Sequence, residues 1–455
     1  MKRRIATILL TMVVLLSALS GCGKGTGKKD SFNFSGMEIV IATPYTDSSP
    51  GWKERMDKVR ARIPDVEKQY NVKISIETIT DSEYWDGMVT TAMGGKPYGD
   101  LMFSFPWTTA DWVKGGIVRD VSGIAKDVGI DFSEESWNRL VIDDNTYGKA
   151  IYGFERSIPE VQFGLLYNKQ MFENEGLKDP NELIDEGGAW NFSVLEEYAQ
   201  KLTKPDASGK MVQWGLASSD LEMLMYSFVQ SNGGRLINYD KNPPEFSMGE
   251  PKSLAALEVF NRMMNTDKTI QTGVDWQTGA ENLAGGTLGM YLCEQWVIEY
   301  IRDYVASNNL ETRYGLTYFP IGPSGDDFVD TSFGGNSMFI PSSISEEKAK
   351  AALLVYAALY APEEDETRED TMQFKAESLF QDEESVKVYN DIVLKGRAKS
   401  TGVNRLGLTE IMDMVSGYFI DGMGTPQSII NEFAPEVEGL IADSSYVSVI
   451  KEQKK

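Results

Sequence analysis

The sequence predicts an α/β protein built from more than one domain-sized unit. Near the amino terminus, two segments that alternate as strands flank a segment with helical spacing, and a strand–helix–strand unit of this length is typical of parallel α/β folds. The chain has 455 residues, more than a single hydrophobic core normally organises. A hydrophobic content of 42% and 20 tyrosines are typical of a globular chain rather than a disordered one.

The first predicted unit is a strand, a helix and a second strand. Residues 37–43 (MEIVIAT) and 72–79 (VKISIETI) alternate apolar and polar side chains and are therefore predicted strands. Between them, Ser49 and Pro50 suit the N-cap and the first position of a helix, and the apolar residues up to Ile63 recur at helical spacing.

Two further elements can be placed with the same rules. Residues 100–105 (DLMFSF) predict a short strand that ends in aromatic side chains. Ser343 and Glu346 fit a capping box. Apolar positions then recur on one face over 349–360, so a long helix is predicted there.

The amino terminus has the pattern of an export signal. Basic residues at 2–4 precede an apolar run over 5–19, which is shorter than the roughly 20 residues that a spanning helix needs. Small residues then lead into Cys22, as at a cleavage site. The stretch LSGC (19–22) resembles the lipobox of bacterial lipoproteins, in which the cysteine receives a diacylglyceryl group before cleavage.

This resemblance implies a lipoprotein signal peptide over 1–21, a lipidated Cys22 and a flexible linker over 22–36. The expected location is the extracellular face of the bacterial cytoplasmic membrane, or the periplasm if the organism has an outer membrane. Two or more acyl chains give stable attachment, since each buried methylene contributes ~0.8 kcal/mol. An ordinary secretory leader with a chance cysteine is the alternative interpretation.

Composition excludes several classes of partner and chemistry. A net charge of −24 argues against nucleic acid and anionic lipid headgroups as partners. The chain contains no histidine, which excludes Ser-His-Asp and Cys-His catalysis and histidine zinc sites. Once Cys22 is acylated, Cys293 has no cysteine partner, so we expect a buried, inert thiol and no intrachain disulfide. No metal and no cofactor are expected.

The enzyme chemistry that remains is mainly that of a glycosidase with two carboxylates. The sequence offers no strong pair for it. Asp143 and Asp144 are interpreted as turn residues beside a hairpin, and the same stretch fails as a calcium loop because Tyr147 occupies a ligand position.

Four segments carry motifs in a familiar order. They are GKAIYGFERSIPEVQFGLLYNKQMFENEGL (148–177), the stretch from Trp190 to WGLAS, ENLAGGTLGMYLCEQWVIEYI (281–301), and the stretch from YGLTYFPIGPSG to FGGNSMFIPSSISEEKAK. Together they resemble the extracellular solute-binding proteins of ABC importers (family 1), above all the carbohydrate-binding branch related to maltose-binding protein. The resemblance covers essentially the whole mature chain.

The resemblance implies a two-lobed, periplasmic-binding-protein-like α/β fold with a ligand cleft between the lobes and hinge crossovers. By motif order, lobe 1 would comprise 37–150 and 290–338, and lobe 2 would comprise 151–289 and 339–455. The crossovers would then fall near Tyr152, Met290 and Phe339. Ligand would bind in the cleft and close it by hinge motion.

A sugar site needs aromatic platforms and planar polar side chains. The resemblance and the expected positions at strand ends imply such contacts from a set of residues in the cleft. A surface-loop position is the alternative for each of the charged residues at the first crossover. The expected ligand-binding residues are Asp100, Trp107, Glu155, Arg156, Glu160, Trp276, Trp296, Phe333, Gly335 and Asn336.

The sequence therefore predicts a lipid-anchored, monomeric substrate-binding protein that delivers a sugar or oligosaccharide to the permease subunits of an ABC importer and catalyses no reaction. The alternatives are a surface-anchored carbohydrate-active enzyme using two carboxylates, and a sugar-sensing or adhesion lipoprotein of the same fold. The sugar itself stays open, since Arg156 leaves room for an acidic sugar while the acidic surface disfavours one.

Overall fold

A computed structural model describes residues 32–49, 52–79, 81–362 and 367–443 of the chain. The predicted signal peptide, its lipobox and Cys22 lie outside the described residues. No helix within the described residues is long and apolar enough to cross a bilayer.

The strands are short and fall into two main sheets and several two-stranded ladders. In chain order they are β1 Met37–Thr43, β2 Val72–Thr78, β3 Leu101–Ser104, β4 Thr146–Tyr147, β5 Ala150–Ile151, β6 Gly153–Phe154, β7 Gly164–Asn168, β8 Lys204–Pro205, β9 Met211–Ser218, β10 Ile237–Asn238, β11 Glu245–Phe246, β12 Leu288–Cys293, β13 Tyr314–Thr317, β14 Asp330–Ser332, β15 Ser337–Phe339 and β16 Ala398–Ser400.

Helices surround both sheets. In chain order they are α1 Trp52–Tyr70, α2 Asp81–Met93, α3 Pro106–Lys114, α4 Ser122–Val128, α5 Arg139–Asp144, α6 Lys169–Asn174, α7 Pro180–Asp185, α8 Phe192–Leu202, α9 Leu221–Ser231, α10 Pro251–Asn261, α11 Trp276–Ala284, α12 Gln295–Ser307, α13 Glu346–Leu359, α14 Arg368–Leu379, α15 Glu383–Leu394, α16 Thr409–Ile420 and α17 Pro426–Asp443. A π-helical turn, Arg262–Thr266, continues α10, and a 3₁₀ turn, Asn404–Leu406, precedes α16.

The first sheet, with the helices packed on it, forms lobe 1. Its strand order is β2-β1-β3-β15-β6, and β1 runs parallel to both β2 and β3, as the strand–helix–strand pattern predicts. Successive side chains of a strand point to opposite faces. Accordingly, Ile41 joins a core formed with α1 and α13, whereas Ala42 joins a separate core formed with α2 and α3.

The second sheet, with the helices packed on it, forms lobe 2. Its strand order is β13-β7-β12-β9-β8. Strands β9 and β12 are parallel, while β7 is antiparallel to both β12 and β13. Strand β12 is buried along its whole length, as expected for a central strand covered on both faces.

Two links between the sheets join the same pair of edges. Residues 155–163 link the carboxyl end of β6 to the amino end of β7, and residues 318–336 link the carboxyl end of β13 to the amino end of β15. Because β15 and β7 are antiparallel to their neighbours, both links join the carboxyl edge of one sheet to the carboxyl edge of the other. Ligands of open α/β sheets bind at such edges, so the cleft lies between them.

The predicted division into lobes is partly wrong. Strands β12 and β13, within 290–338, pair with β7 and β9 and therefore belong to lobe 2. Strand β15 pairs with β3 and β6, and α13 packs on α1, so these elements belong to lobe 1. The chain passes between the lobes at 155–163 and 318–336, and again after α13, but not near Met290.

Two local predictions also need correction. The predicted linker over 22–36 is packed at its carboxyl end, because Phe34 is buried in lobe 1 and its amide donates to the Tyr70 carbonyl at 2.9 Å. The long helix after Ser343 begins later than its predicted capping box. Ser345 is the N-cap and its hydroxyl accepts a hydrogen bond from the Lys348 amide at 3.2 Å.

Candidate functional site

Aromatic side chains follow two parallel strands of lobe 1 at the cleft edge. Tyr45 comes after β1, and Phe105 and Trp107 come after β3. Phe105 stacks on Trp107 with ring centroids 4.3 Å apart, and Tyr45 meets Phe105 edge-on at 6.5 Å. Trp107 is 43% exposed although it is a large apolar side chain. An exposed indole held by a stacked neighbour is a preformed platform for a flat apolar face.

This aromatic row continues across the boundary between the lobes. The ring centroids of Trp107 and Phe333 are 6.1 Å apart, and Phe333 meets Phe163 edge-on with ring centroids 5.6 Å apart. Phe333 lies in the second crossover, whereas Phe163 directly precedes β7 of lobe 2. The row therefore joins the exposed Trp107 of lobe 1, through Phe333 of the crossover, to Phe163, which is buried in the core of lobe 2.

A second aromatic cluster lies on lobe 2. Trp276 packs edge-on against Trp296 at 4.7 Å and against Tyr300 at 5.1 Å. Trp296 is 38% exposed and follows the carboxyl end of β12 by three residues. The Tyr300 hydroxyl donates to Glu281 at 2.9 Å, which fixes the outer ring of the cluster.

Asp330 ties the two crossovers to each other. Its carboxylate accepts hydrogen bonds from the backbone amides of Gln162 and Phe163, both at 2.7 Å. Asp330 is buried, and this burial raises its pKa to about 7 even though the two amides lower it. Because one side chain joins residues of both crossovers, hinge motion has to move these two segments together.

The boundary between the lobes is closed on one side by the segment that connects α15 to α16. Arg405 of this segment donates to the Thr146 carbonyl of lobe 1 at 2.6 Å, and its guanidinium lies over the Tyr147 ring at 5.8 Å. Asn404 donates to the Phe333 carbonyl. Asp144 lines a small pocket here, and burial raises its pKa to about 6.

Charged residues surround the first crossover. The Glu155 carboxylate pairs with Arg55 at 3.1 Å and also accepts from the side-chain amide of Asn138 at 3.1 Å. Glu160 is exposed to the cleft. Enclosure by the surrounding protein raises the pKa of Glu160, Lys375 lowers it, and Glu299 raises it further.

Carboxyl groups also follow the parallel strands of lobe 2. Ser219 follows β9 and donates to Glu294, which follows β12, at 2.5 Å. Burial raises the pKa of Glu294, and hydrogen bonds from Ser219 and Trp296 lower it. Burial and, in addition, a side-chain hydrogen bond with Asp413 raise the pKa of Glu222 to about 9.

Sequence comparison decides between the families that could build such a cleft. The profile of the bacterial extracellular solute-binding proteins matches residues 49–366. The chain belongs to this family. The predicted resemblance is therefore confirmed, and the family places the protein on the outer side of the cytoplasmic membrane.

Two similar proteins support the same assignment. The diacetylchitobiose binding protein DasA of Streptomyces coelicolor is 23% identical over 359 residues, 76% of each chain. The polygalacturonan/rhamnogalacturonan-binding protein YtcQ of Bacillus subtilis is 23% identical over 380 residues, 78% of this chain and 70% of YtcQ. Both proteins are named for binding rather than for catalysis.

A solved structure confirms the fold class. The GacH receptor of Streptomyces glaucescens, solved unliganded and in complex with acarbose, superposes with a TM-score of 0.62 at 15% identity. The superposition covers 90% of this chain and 99% of that receptor. The chain therefore has the two-lobed fold of the solute-binding proteins.

The structure brings most of the predicted site residues to this cleft. Trp107 and Phe333 lie in the aromatic row, and Trp276 and Trp296 form the lobe 2 cluster. Three more predicted residues are Glu155, Glu160 and Asn336. Glu155 and Glu160 lie in the first crossover, and Asn336 is exposed directly before β15 at the cleft edge.

Asp100 is placed at the opposite edge of the lobe 1 sheet. It directly precedes the amino end of β3 and is buried. Its carboxylate accepts from the Val40 amide at 2.9 Å and pairs with Lys348 of α13 at 2.8 Å. The geometry therefore supports a structural role for Asp100 instead of the predicted ligand contact.

Arg156 and Gly335 are also engaged within the protein. The Arg156 guanidinium donates to the Ala357 carbonyl and lies 5.3 Å from the centre of the Trp137 ring. A Cβ at Gly335 would meet the Val141 side chain at 2.4 Å. Packing against α5 therefore accounts for the glycine, whereas the sequence had suggested close approach of a ligand.

The sequence did not predict several other cleft residues, because they come from distant parts of the chain. Arg55 reaches Glu155 from α1, and Lys375 of α14 pairs with Glu299 of α12 at 2.6 Å. Ser219 joins Glu294 across neighbouring strands. The position of Ser219 directly after an apolar strand was the one usable signal, because parallel strands bind ligands at that end.

Neither a metal site nor a reactive thiol stands out in the part of the chain that the structure describes. No group of histidine, cysteine, aspartate and glutamate residues there could hold a metal ion. Cys293 is fully buried in lobe 2, and burial raises the pKa of its thiol. The predicted buried position of Cys293 is confirmed.

Proposed function

We propose that this chain is the lipid-anchored, monomeric carbohydrate-binding component of an ABC importer, which captures an oligosaccharide between its lobes and passes it to membrane permease subunits. The observation that carries the proposal is the aromatic row from Phe105 and Trp107 through Phe333 to Phe163, which spans both lobes. Pyranose rings present apolar C–H faces that pack on aromatic rings, and their hydroxyls pair with planar polar side chains.

The relatives support a saccharide ligand without choosing one. DasA is named for diacetylchitobiose, which is neutral, and YtcQ for polygalacturonan, which is anionic, and both are 23% identical to this chain. Because both names describe binding proteins, we also infer that the chain performs capture and release and no chemistry.

Attachment to the membrane rests on the amino-terminal sequence. The basic residues, the short apolar run and LSGC form a lipoprotein-type leader. The residues between Cys22 and the packed Phe34 are rich in glycine and lysine, a composition typical of linkers. Such a tether would let both lobes approach a permease while the acyl chains stay in the bilayer.

A titration with saccharides tests the proposed function. We expect at least one neutral or charged oligosaccharide to change the tryptophan fluorescence saturably and to raise the unfolding midpoint. A ligand at 100 times its Kd stabilises the folded state by about 2.7 kcal/mol. Peptides and divalent metal ions serve as controls. A response to those controls and to no saccharide would reject the ligand class, and consumption of the saccharide would reject the assignment as a binding protein.

Membrane attachment has its own test. Cys22→Ser removes the thiol that would be acylated, so the variant should leave the membrane fraction while binding saccharide with unchanged affinity. Fractionation of cells expressing each form, followed by detection of the chain, measures this. Cys293→Ser is the matched control and should stay with the membrane. A Cys22→Ser variant that remains membrane-bound would contradict lipid anchoring.

A further inference from the structure

Two of the three cations at the first crossover are paired with neighbouring carboxylates. Arg55 pairs with Glu155 at 3.1 Å, and Lys375 pairs with Glu299 at 2.6 Å. Arg156, the residue that could have served an acidic sugar, donates instead to Ser136 and to the carbonyl of Ala357 within lobe 1. Arg55 and Lys375 are thus paired with carboxylates, and Arg156 is held by neutral groups of lobe 1.

Several carboxyl groups at or beside the carboxyl edge of the lobe 2 sheet form no ion pair. Within the described part of the chain, no lysine or arginine forms an ion pair with Glu160, Asp220, Glu222, Glu294 or Asp413. Glu160 precedes β7, Asp220 and Glu222 follow β9, and Glu294 follows β12, all at the carboxyl edge of the lobe 2 sheet.

The carboxyl groups also repel one another. Asp220 raises the pKa of Glu294, Asp413 raises that of Asp220, and Glu299 raises that of Glu160, in each case in addition to desolvation by the surrounding protein. Glu222 and Asp413 share a hydrogen bond, and with a pKa of about 9 Glu222 is mainly protonated at neutral pH. A positive charge placed among these groups would relieve the repulsion.

An aromatic surface lies directly beside this negative region. Trp296 is 38% exposed and hydrogen-bonds to Glu294, and the Trp276 ring lies 4.7 Å from it. Indole faces attract ammonium groups as well as sugar C–H faces. An exposed indole next to a carboxylate without an ion-pair partner therefore suits a ligand that has both a pyranose ring and a cationic substituent.

We propose that the cleft selects oligosaccharides that carry a protonated amine, such as glucosamine oligomers, over neutral and anionic oligosaccharides. This inference rests on the proposed function and names the charge class of its ligand. Glu160 and Glu294 are the specificity-determining residues, because each is a carboxylate without an ion-pair partner at the cleft edge of lobe 2.

The test compares three ligands of equal length by fluorescence titration or calorimetry. They are a glucosamine disaccharide or trisaccharide, its N-acetylated counterpart, and a galacturonate oligomer. At low salt the amine ligand should bind about tenfold more tightly than the acetylated one, a difference of about 1.4 kcal/mol. The preference should shrink with added salt and as alkaline pH deprotonates the ligand amine, while binding of the acetylated ligand should change little.

Isosteric variants connect the preference to the named residues. Glu160→Gln and Glu294→Gln should each weaken binding of the amine ligand by roughly three- to tenfold and leave the acetylated ligand within about twofold. Glu258→Gln removes the same charge from an exposed residue of α10, away from the cleft edges. It should change the affinity for neither the amine ligand nor the acetylated ligand. Thermal unfolding of each variant verifies that it is folded, and Glu160 is exposed enough that its variant should fold.

Two outcomes would overturn this inference alone. One is an amine ligand that binds no more tightly than its acetylated counterpart, and the other is tightest binding of the galacturonate oligomer. In either case saccharide binding itself would still support the proposed function. A complete absence of saccharide binding would reject the proposed function as well.

Discussion

Trp107→Ala is expected to weaken oligosaccharide binding by roughly 30- to 150-fold, which corresponds to about 2–3 kcal/mol for a central aromatic contact. Trp107 is 43% exposed and stacks on Phe105 at 4.3 Å, so its outer face is available to a sugar ring. Truncation removes that face and also the ring that links Phe105 to Phe333. Calorimetric titration with the best saccharide ligand measures the loss.

The stability of the variant separates a ligand contact from a packing role. Because Trp107 is exposed, Trp107→Ala should lower the unfolding midpoint only slightly. Trp107→Phe is the matched control, since it keeps a smaller ring stacked on Phe105. Its saccharide affinity should lie between those of the wild type and Trp107→Ala. Wild-type affinity in Trp107→Ala would show that the aromatic row does not contact the ligand.

Capture in this architecture depends on segments that already bridge the lobes. Asp330 joins the two crossovers through the amides of Gln162 and Phe163, and Arg405 and Asn404 attach the α15–α16 segment to lobe 1 and to Phe333. Phe333 therefore belongs both to the aromatic row and to the group of residues that bridge the lobes. A sugar that packs on the row would act on the hinge through the same residue.

Local patterning predicted the elements of this fold better than their arrangement. The strands β1 and β2 and the helix α1 fall where alternation and helical spacing place them, because these signals depend on neighbouring residues. The assignment of β12 to lobe 1 failed for a different reason. A strand that is buried on both faces carries no alternation to show which sheet it joins, and its partners β7 and β9 lie far away in the sequence.

The same distinction holds for the candidate site. Trp107 and Trp296 could be placed because each follows an apolar strand, and parallel strands end at the ligand edge. Asp100 directly precedes its strand, which puts it at the other edge. The pairing of Glu155 with Arg55, 100 residues apart, could not be read from local sequence. The charge balance of the cleft therefore emerged only from the fold.

Asp100→Ala is expected to lower the free energy of unfolding by about 2–4 kcal/mol without changing the intrinsic affinity for saccharide. Asp100 is 3% exposed, and its removal leaves the Val40 amide and Lys348 without their partner. Breaking a buried ion pair from one side costs several kcal/mol. The Lys348 side chain is 31% exposed and can regain hydration. We therefore expect a loss of unfolding free energy towards the lower end of this range.

Urea unfolding measures this loss, and titration of the folded variant measures the affinity. Asp100→Asn keeps an oxygen that can accept from the Val40 amide but removes the charge facing Lys348, so it should lose less stability than the alanine variant. Lys348→Met should lose stability as well, because it leaves the Asp100 carboxylate buried and uncompensated. If Asp100→Ala instead kept its stability and lost saccharide affinity, Asp100 would be a ligand residue, and the assignment of the cleft to the carboxyl edge of the sheet would be wrong.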